Sequence, residues 1–161
     1  VRAALKSHIE SFSRIMDLGD GLVHTQFIRE GYEFKIIEMT RRCPGDLYAK
    51  LIELSTEYPY AESYIAPFIG GTLPEKGVDS GNLIIRHTLS SSDISNLWGI
   101  SFKIPLEISL LVPLKKCGDP LEKGVRGRSG LIFLRSESDK EQEKLYEQLR
   151  SNNLYENWLS G

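Results

Sequence analysis

The residues able to do chemistry gather between positions 24 and 46. Two runs, Gly21-Leu-Val-His-Thr-Gln-Phe-Ile28 and Phe34-Lys-Ile-Ile-Glu-Met-Thr-Arg-Arg-Cys-Pro-Gly-Asp46, alternate polar and apolar side chains. Read as two antiparallel strands with Glu30-Gly31 at their turn, the pairing that sets Gln26 opposite Glu38 also matches His24 with Thr40 and Ile28 with Ile36. Cross-strand partners share a face, so His24, Gln26, Glu38 and Thr40 form one polar patch. Phe27, Ile37 and Met39 are expected on the opposite, buried face. A strand carboxylate beside a glycine-containing loop suits magnesium, which takes hard oxygen ligands and is usually held by one or two carboxylates plus substrate phosphates.

These residues resemble the metal-binding strands of the ATP-grasp superfamily. Those strands usually read as an acidic residue in a Val-Glu-Phe-like run, then Glu-x-Asn-x-Arg, then a glycine-rich loop. The corresponding residues here are Gln26, then Glu38-Met-Thr-Arg-Arg42, then Pro44-Gly45. The register agrees at Glu38 and Arg42 and departs at Gln26 and Thr40, where Glu and Asn are usual. The resemblance implies a metal patch of Glu38, Gln26 and Thr40, with Glu38, Thr40 and Arg42 meeting the nucleotide. It also makes Arg42 the catalytic cation near the transferred phosphoryl group, a usual device for stabilising developing charge. ATP and Mg2+ are the implied cofactors. The match covers residues 1–70 well and the remainder loosely.

Other candidates weigh less. His24 shares the polar face, but a lone histidine beside such a patch is more often structural. Arg41 should point away from Arg42 and read as structural. Cys43 adjoins two arginines, yet no histidine or acid is placed to serve it as a nucleophile. Gly124-Val-Arg-Gly-Arg-Ser-Gly130 could cradle an anion, although it lacks the Gly-Lys-Ser/Thr ending of a P-loop. Arg86 and His87 could reach a substrate carboxylate in an assembled enzyme.

The elements that position these residues follow from periodicity. Leu5, Ile9, Phe12 and Met16 recur at helical spacing, predicting a helix over about 2–17 that Leu18-Gly19 stops. Asp46 is placed to cap a helix through Leu47, Leu51 and Leu54, which Tyr58-Pro59 breaks; Ala61, Tyr64, Ile65 and Phe68 suggest a second short one. Strands are expected at Leu83–Leu89, Leu106–Leu114 and Gly130–Arg135. Ser138 or Asp139 can cap a last helix that turns Leu145 and Leu149 to one face. The expected fold class is α+β. The resemblance implies that residues 1–70 are the C-terminal part of an ATP-grasp catalytic lobe, an antiparallel sheet with packed helices, that 71–81 are a linker, and that 82–161 are a small carboxylase-like α+β subdomain.

The chain has 161 residues and a formal charge of −2, which gives no electrostatic reason to expect nucleic acid or an anionic membrane. No apolar run approaches the ~20 residues of a membrane-spanning helix, and no secretory signal is visible. Cys43 and Cys117 lie far apart in unlike settings, fitting a reducing cytoplasmic location. The phosphate-gripping lysines and glycine loop of an ATP-grasp first lobe are not visible. The chain therefore reads as a C-terminal fragment, inactive alone, whose partner is that missing lobe.

The leading expectation is an ATP-dependent ligase of the carboxylate–amine or carbamoyl-phosphate-synthase-like kind. Its substrates would be a small carboxylate and an amine or similar nucleophile, and a homodimer is left open. Two alternatives stand beside it: a nucleotide-binding relative that has lost catalysis, suggested by Gln26, and a small interaction domain.

Overall fold

The computed structural model describes residues 2–74 and 81–160. The fold is α+β with antiparallel sheets. The chain divides into two compact units, one of residues 1–49 and 59–76, the other of residues 50–58 and 77–161. The linker expected over 71–81 falls largely on residues 75–80, outside the described residues.

The first unit opens with helix α1 (Arg2–Ile15). Its stop lies at Asp17, two residues before Gly19. Asp17 takes a left-handed backbone (φ 49°). Its N–H donates to the Arg14 carbonyl at 3.2 Å, and the Leu18 N–H donates to the Ser13 carbonyl at 2.9 Å. These are the two bonds of a Schellman cap, built here on a short polar side chain rather than a glycine.

Strands β1 (His24–Glu30) and β2 (Glu33–Thr40) form a two-stranded sheet. Their loop is Gly31-Tyr32, one residue beyond the expected turn, with Gly31 at φ 59°. A two-residue hairpin loop favours glycine at that first position. The ladder runs His24–Thr40, Thr25–Met39, Gln26–Glu38, then shifts to Phe27–Ile36 and Ile28–Lys35. Ile37 is the extra residue of a β-bulge. The expected Ile28–Ile36 pair is thereby displaced by one position.

The burial expected behind the hairpin is also only partial. Phe34 packs edge-on against His8 of α1 and against Phe27, with centroids 5.3 and 6.2 Å apart. Met39 is half-buried, but Phe27 is exposed, and Ile37, which the bulge removes from the alternation, is 62% exposed. Helix α2 (Tyr48–Thr56) begins after Asp46 and Leu47, both left-handed at φ 57°. The chain therefore enters the helix one residue later than a cap at Asp46 would set. Helix α3 (Tyr60–Ile65) follows Pro59 and runs into a 3-10 turn at Ala66–Phe68.

The second unit holds two three-stranded sheets. One is ordered β3 (Leu83–Ser90), β7 (Arg128–Ser136), β5 (Ile108–Pro113); the other is β6 (Pro120–Leu121), β4 (Ser95–Phe102), β8 (Tyr155–Ser160). β7 is central, and Leu131, Ile132, Phe133 and Leu134 are all buried, as a strand covered on both faces requires. Helix α4 (Asp139–Arg150) is capped by Ser138, whose side chain accepts the Glu141 N–H. The Glu141 carboxylate accepts in turn from the Glu137 N–H at 2.7 Å. Leu145 and Leu149 of α4 join Ile85, Leu89, Ile132, Leu134 and Leu154 in the core.

Candidate functional site

The hairpin brings together the residues that the sequence singles out. Gln26 and Glu38 are direct cross-strand partners, as are His24 and Thr40, so the four share one face. The bulge begins only beyond Gln26, toward the turn, and leaves this face in register. Gln26 and Glu38 are both exposed, whereas His24 and Thr40 are half-buried. The Thr40 hydroxyl is buried without a hydrogen-bond partner, and so is that of Thr25 on the other face. An orphaned hydroxyl costs about 1–3 kcal/mol unless something supplies a partner.

The two arginines after β2 differ in kind. Arg41 reaches back to donate to the carbonyls of Gly19 and Asp20, at 3.0 Å each. Gly21 has φ 142°, and a Cβ there would come within 2.6 Å of the Arg41 guanidinium. Arg41 thus ties the chain between α1 and β1 to the end of β2. Arg42 is exposed and donates to the Cys43 carbonyl at 3.1 Å, leaving most of its guanidinium open. Cys43 lies beside buried Tyr60. Burial, with Cys43 adding to it, pushes the Tyr60 phenol up to about 12. That environment suits a packed thiol.

Magnesium requires hard oxygen donors in near-octahedral geometry. Among the described residues no three His, Cys, Asp or Glu side chains gather to hold a metal. The patch instead offers one carboxylate and one amide oxygen open to solvent, with a hydroxyl behind them. Such a set fits an ion that arrives on nucleotide phosphates, since magnesium keeps most of its shell as water and phosphate oxygens.

The weaker candidates are engaged elsewhere. In the Gly124–Gly130 segment the Gly124 N–H donates to the Ser91 carbonyl at 2.9 Å, and the Gly127 N–H to the Gly124 carbonyl at 3.0 Å. A Cβ on Gly127 would lie 1.7 Å from the Glu122 carbonyl oxygen, so this turn is a tight packing device. Both of these glycine amides are therefore spent within the fold. His87 is half-buried against Tyr155, with centroids 5.9 Å apart. Burial, and then the charge of Arg86, hold its imidazole below the usual 6.5, so it is a poor cation for a carboxylate near neutral pH.

Sequence reasoning missed the Arg41 clamp and the Thr25 hydroxyl. The signal for the first was present in the glycine pair flanking Asp20, which lets a side chain approach the backbone. Thr25 carried none, because alternation alone assigns it to the covered face.

No family model matches the chain, and no curated protein does. Solved structures do. Phosphoribosylglycinamide synthetase from Anaerococcus prevotii superposes over 96% of this chain with a TM-score of 0.72 and 16% identity. The L-amino acid ligase from Bacillus licheniformis superposes over 99% with a TM-score of 0.78 and 14% identity. Over nearly its whole length this chain therefore has the fold found in part of each of these two proteins. The chain spans 41% of the length of each of these two proteins. Among the described residues no helix is long and apolar enough to cross a membrane.

Proposed function

We propose that this chain is the C-terminal part of an ATP-dependent ligase that activates a carboxylate for attack by an amine or similar nucleophile. The observation that carries this reading is the face shared by Gln26 and Glu38, on the strand that leads two residues past its end to Arg42, in a chain with the fold of part of an L-amino acid ligase. A carboxylate oxygen would attack the γ-phosphorus of ATP, releasing ADP and leaving an acyl phosphate. The nucleophile would then displace inorganic phosphate.

Glu38 and Gln26 would hold Mg2+ against the phosphates, with Thr40 orienting a phosphate oxygen. Magnesium supplies charge neutralisation there, and Arg42 stabilises charge developing on the transferred group. The remaining lobe would supply the phosphate-gripping loop and lysines, and is the partner this chain requires. Carbamoyl-phosphate-synthase-like chemistry would open in the same way, with bicarbonate taking the γ-phosphoryl group to give carboxyphosphate and ADP.

The test is ADP release by the full-length protein containing this sequence, with Mg-ATP and a panel of amino acids and small carboxylates. ADP formation that depends on one carboxylate and one nucleophile supports the reading. ATP binding without turnover on any pair supports a second one, a nucleotide-binding relative without catalysis, which Gln26 at a position usually acidic favours.

A further inference from the structure

Strands β1 and β2 form a sheet of two, and such a ribbon is marginal unless something else holds it. At one end the Gly31-Tyr32 loop joins the strands covalently. At the other the last pair is His24 with Thr40, and beyond it the two chain ends run on separately. That open end carries the patch. Gln26 with Glu38 lies two pairs further in, and the orphaned Thr40 hydroxyl belongs to the final pair.

Arg41, the residue after that pair, closes the open end. Its Nη1 donates to the Gly19 carbonyl and its Nη2 to the Asp20 carbonyl, both at 3.0 Å. One planar fork thus spans two consecutive carbonyls ahead of β1, a match that a lysine ammonium lacks. The local sequence is shaped for it. Gly21 sits at φ 142°, where L side chains rarely go, and a Cβ there would come within 2.6 Å of Nη2. Tyr64, Pro67 and Phe68, from α3 and the turn after it, line the same small cleft as Arg41. Three segments of the first unit therefore meet at one side chain. Arg41 is itself exposed, so its replacement opens no core cavity.

We propose that Arg41 is a positioning residue for the Gln26–Glu38 patch. Its two bonds hold the open end of the hairpin in one geometry. The Glu38 carboxylate, the Gln26 amide and the Thr40 hydroxyl then meet an ion and its phosphates without first being ordered. Arg42 is the next residue in the chain, so the same latch limits the path by which it leaves β2. Ordering done in advance is gained as affinity, because a frayed patch must be re-formed at each binding event. What the patch binds rests on the proposed function; that the latch holds it does not.

The test uses the full-length protein containing this sequence, with Arg41→Ala and Arg41→Lys, and has two readouts. Hydrogen–deuterium exchange by mass spectrometry should be faster in the segments holding residues 22–28 and 36–42, and unchanged in α1 of the same unit. Mg-ATP affinity, measured by titration, should fall about tenfold, the worth of one charge-assisted hydrogen bond. Arg41→Lys keeps the charge without the fork, so it should restore neither readout. Parent exchange rates, parent affinity, or full rescue by lysine would each overturn the positioning role. Faster exchange that spreads into α1 would overturn it too, by making Arg41 a residue of general stability. A parent protein that binds no Mg-ATP would overturn the proposed function instead, and exchange alone would then decide the latch.

Discussion

Gln26 faces Glu38 directly across the hairpin, and the very next pair, Phe27 with Ile36, is already shifted by one residue. The bulge at Ile37 therefore adjoins the carboxylate on its own strand. Bulges sharpen local twist and re-aim side chains. Here the shift falls on the turn side, while Glu38 and Thr40 stay in register with Gln26 and His24, and Arg42 follows two residues past the end of the strand.

Glu38 and Arg42 are expected to carry function rather than stability in the full-length protein. Both are exposed, so neither replacement opens a core cavity. Glu38→Gln should weaken Mg-nucleotide binding, and Arg42→Ala should lower turnover by about 10²-fold, as loss of a preorganised donor commonly does. Melting temperatures should stay near that of the parent. Full ligase activity in both variants, or unfolding of both, would remove these residues from the site.

The chain by itself should bind Mg-ATP poorly and hydrolyse none at a useful rate. Under the proposed function its patch would meet only part of the nucleotide, and positioning would require the rest. Isothermal titration decides this, and micromolar affinity would place the nucleotide site elsewhere.

His87 predicts a pH dependence of stability. Its imidazole is held below the usual 6.5 in the folded chain, so the unfolded chain takes up more protons as pH falls. The contribution is fully present above 6.5 and is lost as pH drops through 6.5 toward the folded value. Denaturant midpoints measured on either side of 6.5 should fall on the acid side, and His87→Gln should flatten that slope. An unchanged slope in the variant would assign the acid lability to other groups.

Ser138→Ala should cost about 1 kcal/mol, the usual value of a helix N-cap. The Ser138 side chain satisfies the Glu141 N–H at the start of α4, whose Leu145 and Leu149 are buried in the core. Urea denaturation should show a lower midpoint with an unchanged slope. No change would mean that Glu141 alone secures this end.

The strongest patterns in the sequence were the ones it made legible. β3, β5 and β7 stand out as runs rich in Leu and Ile, and α4 by its spacing and its cap. β4 and β8 did not. Ser95–Phe102 mixes a glycine, two serines and an asparagine, while Tyr155–Ser160 follows a pair of asparagines and has no fully buried residue. Their identity as strands comes from pairing with each other across a long stretch of chain, which local periodicity cannot register. The polar face of the hairpin was legible because Gln26 and Glu38 lie before the slip. The Ile28 pairing was not, since a bulge leaves no mark on simple alternation.

The close approach at Gly127 has a use beyond this fold. Any side chain there would strike the main chain at Glu122, so every substitution should fail for the same reason. A distant version of this unit that keeps the same tight turn should therefore carry glycine there, held by the same pair of backbone bonds that Ser91 makes to Gly124 and Gly127.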